Sequence, residues 1–213
     1  GVRPDIRLVE ATRAAIRPET RLMVDANHCY TAAQAFEVGR ALEALDVFWF
    51  EEPVAPEDRD GYRRLRDGLR LNIAGGEAEF TRYGWRDLLA AGCLDIAQPE
   101  VCGLGGISEY LKVLALCQTH FVPVVNHVWG SAVAVATNLH LLTAQPPMPG
   151  GLHPFEPMLE FDTTPNRFRD DLAREPLAIQ AQVAAHGGTV AAPDRPGHGV
   201  EPDPAFLAQY RVA

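Results

Sequence analysis

Two rhythms of apolar residues alternate along this chain. Stretches with apolar side chains every three to four positions, the signature of a half-buried helix, are separated by short runs that are apolar almost throughout. Leu8, Ala11 and Ala15, with Val9 and Ile16 beside them, predict an opening helix, and Pro4 suits its first turn. Arg21 to Asp25 reads as a short buried strand that ends in a carboxylate. Thr31 and Gln34 have capping-box spacing, and the helix they open is expected to bury Phe36, Leu42 and Leu45. Strand Val47 to Glu51 follows, then a charged helix around Tyr62, Leu65 and Leu69, and strand Leu71 to Ala74. Next come a helix over Tyr83 to Ala91 and strand Leu94 to Gln98. A helix burying Tyr110, Leu111, Leu114 and Cys117 leads to strand Phe121 to Asn126. Ser131 to Thr143 reads as helix, and a further strand is expected near Gly151 to Phe155.

Unbroken alternation of strand and helix predicts an α/β fold, a parallel sheet covered by helices. A closed (β/α) barrel of the TIM type and an open doubly wound sheet both fit that pattern. The strand ends favour the barrel. Asp25, Glu51, Glu77, Glu100 and His127 stand at successive strand ends, with steps of 26, 26, 23 and 27 residues. A barrel gathers the C-terminal ends of all its strands at one mouth, whereas an open sheet brings together only those beside its switch point. Residues 1–165 are therefore read as a partial barrel. Residues 166–213, rich in Pro and Gly, are read as a tail of loop and short strands packing outside it.

Composition narrows the function classes. Of the 213 residues, 47% are hydrophobic and 22% charged, as in a globular domain with a sizeable core. No apolar run reaches the roughly 20 residues that cross a bilayer, and no signal peptide is recognisable, so no membrane partner and a cytoplasmic setting are expected. The net charge of −9 opposes nucleic-acid binding, which needs a basic surface. The four cysteines, Cys29, Cys93, Cys102 and Cys117, form no C-x-x-C pair and read as reduced thiols.

The acidic strand ends carry the chemistry. Any one of Asp25, Glu51 and Glu77 could be a surface acid or a cap. Three at equal register on consecutive strands would repel one another unless a cation sits among them. All-oxygen ligands select a hard cation, and Mg2+ suits a site that water and substrate oxygens complete. His127, before Val128-Trp129-Gly130, is placed to act as a general base rather than merely to bond a loop. Glu100 could orient that imidazole or simply cap the next helix. The glycines at 103, 105 and 106 lack dinucleotide-fingerprint spacing and read as a tight turn. Neither a phosphate loop nor a nucleophile elbow is present.

At these residues the chain resembles the enolase superfamily and, within it, the mandelate racemase subgroup of the mandelate racemase/muconate lactonizing enzyme family. The resemblance rests on Val24-Asp25-Ala26-Asn27, Phe50-Glu51-Glu52-Pro53, Gly75-Gly76-Glu77, Gln98-Pro99-Glu100 with Gly105-Gly106, and His127-Val128-Trp129-Gly130. It implies Mg2+ bound by Asp25, Glu51 and Glu77, and His127 as the base of a His–carboxylate dyad with Glu100, where the family has aspartate. Pro154-Phe155-Glu156-Pro157-Met158-Leu159-Glu160-Phe161-Asp162 is similar to acid-sugar cycloisomerases and dehydratases of that family. There Glu160 would meet the substrate carboxylate, and Asn27, His28 and Trp129 would line the substrate site.

The resemblance implies removal of a proton α to a carboxylate, with Mg2+ stabilising the enolate. β-Elimination would then make a dehydratase or a lactone-opening cycloisomerase of acid sugars, and reprotonation a racemase or epimerase of a 2-hydroxy acid. A non-catalytic binding barrel and an open-sheet nucleotide binder are the rivals of other classes. A small acid sugar and other copies of the chain, as a homo-oligomer, are the partners expected. A full barrel has eight strand–helix units in about 250 residues, and fewer are counted here. An N-terminal capping domain and the first barrel strands, with the lysines they carry in the family, are therefore expected to be missing. Lys112, on a helix, is the only lysine of this chain.

Overall fold

The computed structural model describes residues 1–147 and 155–212. Contacts gather the chain into two compact units, Gly1–Val124 and Val125–Ala213. The expected strand near Gly151 to Phe155 lies almost wholly outside the described residues.

In the first unit, helices and strands alternate as α1 (Val2–Ala15), β1 (Leu22–Asp25), α2 (Ala32–Ala44), β2 (Val47–Glu51), α3 (Arg59–Gly68), β3 (Asn72–Gly75), α4 (Thr81–Ala90), β4 (Ile96–Ala97) and α5 (Ile107–Thr119). The strands pair in sequence order, β1-β2-β3-β4, and every pair is parallel. The fold is thus α/β with a parallel sheet. Trp49, Phe50 and Glu51 are all buried, so both faces of β2 are covered, as a helix-sheathed parallel sheet requires. Trp85, Tyr110, Phe50, Leu42, Leu65 and Ile73 are the large side chains at the centre of this packing.

Local chemistry sets the element boundaries. The Thr31 hydroxyl accepts the Gln34 N–H, and Gln34 Oε1 returns the bond to the Thr31 N–H at 3.1 Å, closing a capping box at α2. The buried face of α2 is Ala35, Val38, Gly39 and Leu42. Phe36 and Leu45, expected there, are half-buried at its margin, and Phe36 lies beneath the Arg40 and Arg64 guanidinium groups. On α5 the expected Tyr110, Leu114 and Cys117 are buried, but Leu111 is exposed and Val113 takes its place. Helix α1 forms as expected yet buries none of its residues, and Leu8 is 68% exposed.

The strand expected over Phe121 to Asn126 shrinks to one parallel bridge, Ala97 to Val124. Pro123 has no N–H to give a ladder, so it contributes only its carbonyl, which accepts from Ala97 N at 2.9 Å. Phe121 has φ 57° and closes the turn after α5 instead of opening a strand. Strand β4 is short because Asp95 stands in for main chain: its Oδ2 accepts the Ile73 N–H at 3.0 Å.

The second unit is built on α6 (Ala132–Thr143), whose first turn is capped by Ser131. Val128, Val135, Leu139 and Ile179 form an apolar cluster there, with Leu159, Phe161 and Leu177 against it. Where the tail was expected to hold short strands, the described residues form short helices α7 (Arg167–Asp170), α8 (Ile179–Ala185) and α9 (Pro204–Ala208) and one antiparallel bridge, Ala173 to Pro202. Asn166 and Asp203 cap two of these helices, and Pro204 fits the first turn of α9, so local capping chemistry prevails over the loop-like composition. Among the described residues no helix is long and apolar enough to cross a membrane.

One glycine beyond β3 has a specific steric duty. Gly76 has φ 118°, and a Cβ there would stand 2.4 Å from the Trp85 ring. Trp85 is wholly buried. Gly76→Ala should therefore cost about 1–3 kcal/mol or more, through overpacking and backbone strain together. Urea denaturation checks this: the midpoint should fall at constant m value, and an unchanged midpoint would refute the close packing of Trp85 on Gly76.

Candidate metal and acid–base residues

Parallel pairing delivers the first acids to one edge of the sheet. Asp25 and Glu51 are register partners at the ends of β1 and β2, and Glu51 is the register partner of Ala74 on β3. Glu77 follows two residues after β3 ends. Asp25 is exposed, Glu77 half-buried and Glu51 buried. Asp25 Oδ1 accepts the Asn27 N–H at 2.7 Å, which fixes that carboxylate against its own turn. Glu51 Oε2 accepts the Trp49 indole N–H at 3.0 Å. Carboxylate oxygens of Glu51 and Glu77 lie within 4.8 Å of each other.

Tyr62, on α3, registers the negative charge of this edge. Burial raises its hydroxyl pKa well above the usual range, and the charges of Glu52, Glu51 and Asp25 raise it further. An all-oxygen donor set in a negative potential fits a hard divalent cation. The Glu51 and Glu77 oxygens, which lie together, leave room in an octahedron for further oxygen ligands, as Mg2+ sites usually do.

The turn after β1 continues the pairing with β2. Ala26 N donates to Glu51 O at 2.9 Å, His28 N donates to Glu52 O at 2.8 Å, and Tyr30 bridges to Val54. Asn27, His28 and Glu52 all have left-handed backbone, with φ of 44°, 61° and 40°. Such residues cost on the order of 1 kcal/mol or more each and persist where their surroundings hold them. His28, expected to line the substrate site, turns its ring toward protein: Nε2 is in ion-pair contact with Glu52 Oε2 at 2.9 Å, and Nδ1 lies 3.4 Å from Val54 O. Glu52 is 1% exposed. Its proximity to the acidic edge was not foreseen from sequence, though a second acid immediately after a strand-terminal one was a visible signal.

In the second unit, His127 Nδ1 lies 3.2 Å from Glu160 Oε2, an ion-pair contact by distance. The same oxygen accepts the Val128 N–H at 2.7 Å. Trp129 is 67% exposed, and its indole N–H donates to Asp162 Oδ2 at 3.1 Å. The Thr164 hydroxyl and N–H, then Trp129 and Arg169, hold the Asp162 carboxyl below its usual range. Residues 127–129 are thus clamped to 160–162 by three side-chain contacts. This unit supplies the imidazole with a carboxylate neighbour that sequence reasoning had assigned to the substrate. Glu100, for which both an orienting and a capping role were open, has its Oε1 on the Cys102 N–H at 2.7 Å. It thereby caps the 100–104 turn, while Gly106 is the N-cap of α5. Gly105 and Gly106 have φ of 123° and 83° and make the tight turn expected of the glycine cluster.

Known proteins resemble this chain over most or all of its length. The family described as Enolase C-terminal domain-like matches residues 1–206. The D-galactarolactone cycloisomerase of Agrobacterium fabrum is 44% identical over 212 residues, 100% of this chain and 54% of that protein. The crystal structure of the 3,6-anhydro-D-galactonate cycloisomerase of Zobellia galactanivorans superposes with a TM-score of 0.85 at 37% identity, covering 99% of this chain and 56% of the other. An L-talarate/galactarate dehydratase variant liganded with Mg and L-glucarate gives a TM-score of 0.80 at 29% identity, over 96% of this chain and 46% of that one. The chain spans about half the length of the curated relatives it matches.

If Asp25, Glu51 and Glu77 hold a cation, Mg2+ should raise the melting temperature, because a ligand that binds only the folded form stabilises it by about 2.7 kcal/mol at one hundred times its Kd. Glu51→Gln should abolish that shift. Differential scanning fluorimetry with and without Mg2+ decides it, and an equal shift in the variant would remove Glu51 from any metal site.

Proposed function

The chain belongs to the Enolase C-terminal domain-like family, a TIM-barrel-like α/β domain, and from that premise we propose that it takes part in removing the proton α to the carboxylate of an acid sugar or its lactone. Loss of a β-oxygen follows, so the overall reaction is a dehydration or a lactone-opening cycloisomerisation. The observation that carries this reading is the in-register pair Asp25 and Glu51, with a Glu77 carboxylate oxygen within 4.8 Å of Glu51. The relatives support the substrate class, since those named above act as sugar-acid cycloisomerases and dehydratases.

An α-proton beside a carboxylate is very weakly acidic, so the negative charge formed on its removal has to be neutralised. Asp25, Glu51 and Glu77 are the residues that would hold Mg2+. When bound, the ion supplies Lewis-acid stabilisation of charge on the substrate carboxylate. His127 receives the proton at Nε2. Glu160 Oε2, 3.2 Å from Nδ1, places a carboxylate beside the ring, where it favours the imidazolium formed when the proton is taken. Trp129 offers an exposed aromatic face to the sugar. Reprotonation in place of elimination would make an epimerase, and product analysis separates the two.

The test is a panel of acid sugars and lactones in deuterated water with Mg2+, using the full chain. The parent should exchange the α-proton of at least one of them. His127→Asn keeps the approximate shape but takes no proton at neutral pH, and exchange should fall by about 10²–10⁴-fold. Exchange at the parent rate in that variant would exclude His127 as the base.

A further inference from the structure

We propose that His28 and Glu52 are positioning residues for the metal-binding edge, His28 acting as a strut between the Asp25 turn and the β2 end instead of as a substrate ligand. This rests on the metal reading given above. After Asp25 the chain leaves regular β structure at once: Asn27 and His28 are left-handed, and main-chain bonds to Glu51 and Glu52 carry it onward to the Tyr30–Val54 bridge. The Asp25 carboxylate is anchored to that same turn through the Asn27 N–H. Whatever holds the turn therefore sets the direction of Asp25.

The His28 ring closes the turn onto β2 from the side-chain direction. Nε2 meets Glu52 Oε2 at 2.9 Å, and Nδ1 faces Val54 O at 3.4 Å, so both polar atoms of the ring face protein acceptors. Glu52 is itself fixed. It is buried, its N–H donates to Ala74 O at 3.1 Å, and it adjoins Glu51. A line of contacts thus runs from the Asp25 turn, through an imidazole, to the buried carboxylate beside the second acid. Outer groups that orient metal ligands typically change metal affinity by about 10–100-fold when removed.

Isothermal titration of the full chain with MgCl2 tests this, with melting temperatures taken in parallel in EDTA. His28→Leu should weaken Mg2+ binding by about 10–100-fold. His28→Gln, whose amide can reach Glu52, should recover most of that loss. A merely structural role predicts a lower melting temperature in EDTA and an unchanged Mg2+ affinity in the folded variant, and that result overturns the inference. A Gln variant as weak as the Leu variant overturns the Glu52 contact as the cause. Should His28→Leu fail to fold, Glu52→Gln, which keeps shape and loses charge, repeats the test: weakened binding supports the strut and unchanged binding overturns it. Absence of Mg2+ binding in the parent overturns the metal reading itself, a failure distinct from a parent that binds and variants that bind equally well.

Discussion

Acids set side by side at the end of a sheet repel, and main-chain pairing is what keeps them together. Asp25 cannot move away from Glu51 without breaking the β1–β2 register, and Glu51 is likewise bound to the register of β3. Burial of Glu51 sharpens the constraint, since water screens its charge poorly. Other features follow from managing this crowding. The Trp49 indole donates to Glu51, a main-chain amide donates to Asp25, and the Tyr62 phenol is held in its protonated form beside them. A sheet built only for stability would have placed apolar residues here. Mutually repelling groups held in one small volume make this edge a candidate site for a counter-charge.

In the second unit a different device serves a similar purpose. Residues 127–129 belong to none of the strands β1–β4. Their orientation comes from Glu160 and Asp162, which accept from a main-chain amide and an indole and approach the imidazole. Asp162 is in turn gripped by Thr164 and Arg169, and the Arg169 guanidinium also lies 5.1 Å from the centre of the Phe161 ring. Charged groups thus do for this loop what backbone pairing does for the acids of the first unit. The imidazole is positioned by a network that also packs on the apolar cluster around Val135 and Leu139.

Much of this was legible in the sequence, for reasons that differ by residue. Thr31 and Gln34 announced α2 because capping chemistry is local. Glu51 was readable because β2 is an uninterrupted apolar run with an acid at its end, whereas Glu77, expected at the same register, stands three residues beyond Ala74, the register partner of Glu51. What failed depended on neighbours remote in sequence. The buried face of α2 is set by what packs on it, so Phe36 lost its place to Val38 and Gly39. The apolar run after α5 looked like a strand until the missing N–H of Pro123 and the left-handed Phe121 limited it to one bridge. The roles of His28, Glu52 and Glu160 rest on contacts 24 to 33 residues away, by subtraction of their numbers and those of their partners, and no spacing rule foretells them.

The left-handed trio Asn27, His28 and Glu52 also limits how such a site can be altered. Each position must satisfy a backbone demand as well as a chemical one, and β-branched or bulky residues meet that demand poorly. A mutant library randomising these three would consist largely of chains strained at the turn that follows β1 or at the end of β2. Trp129 carries no positive-φ backbone and stands mostly in solvent, so a replacement there meets no such backbone demand and gives up only the indole bond to Asp162.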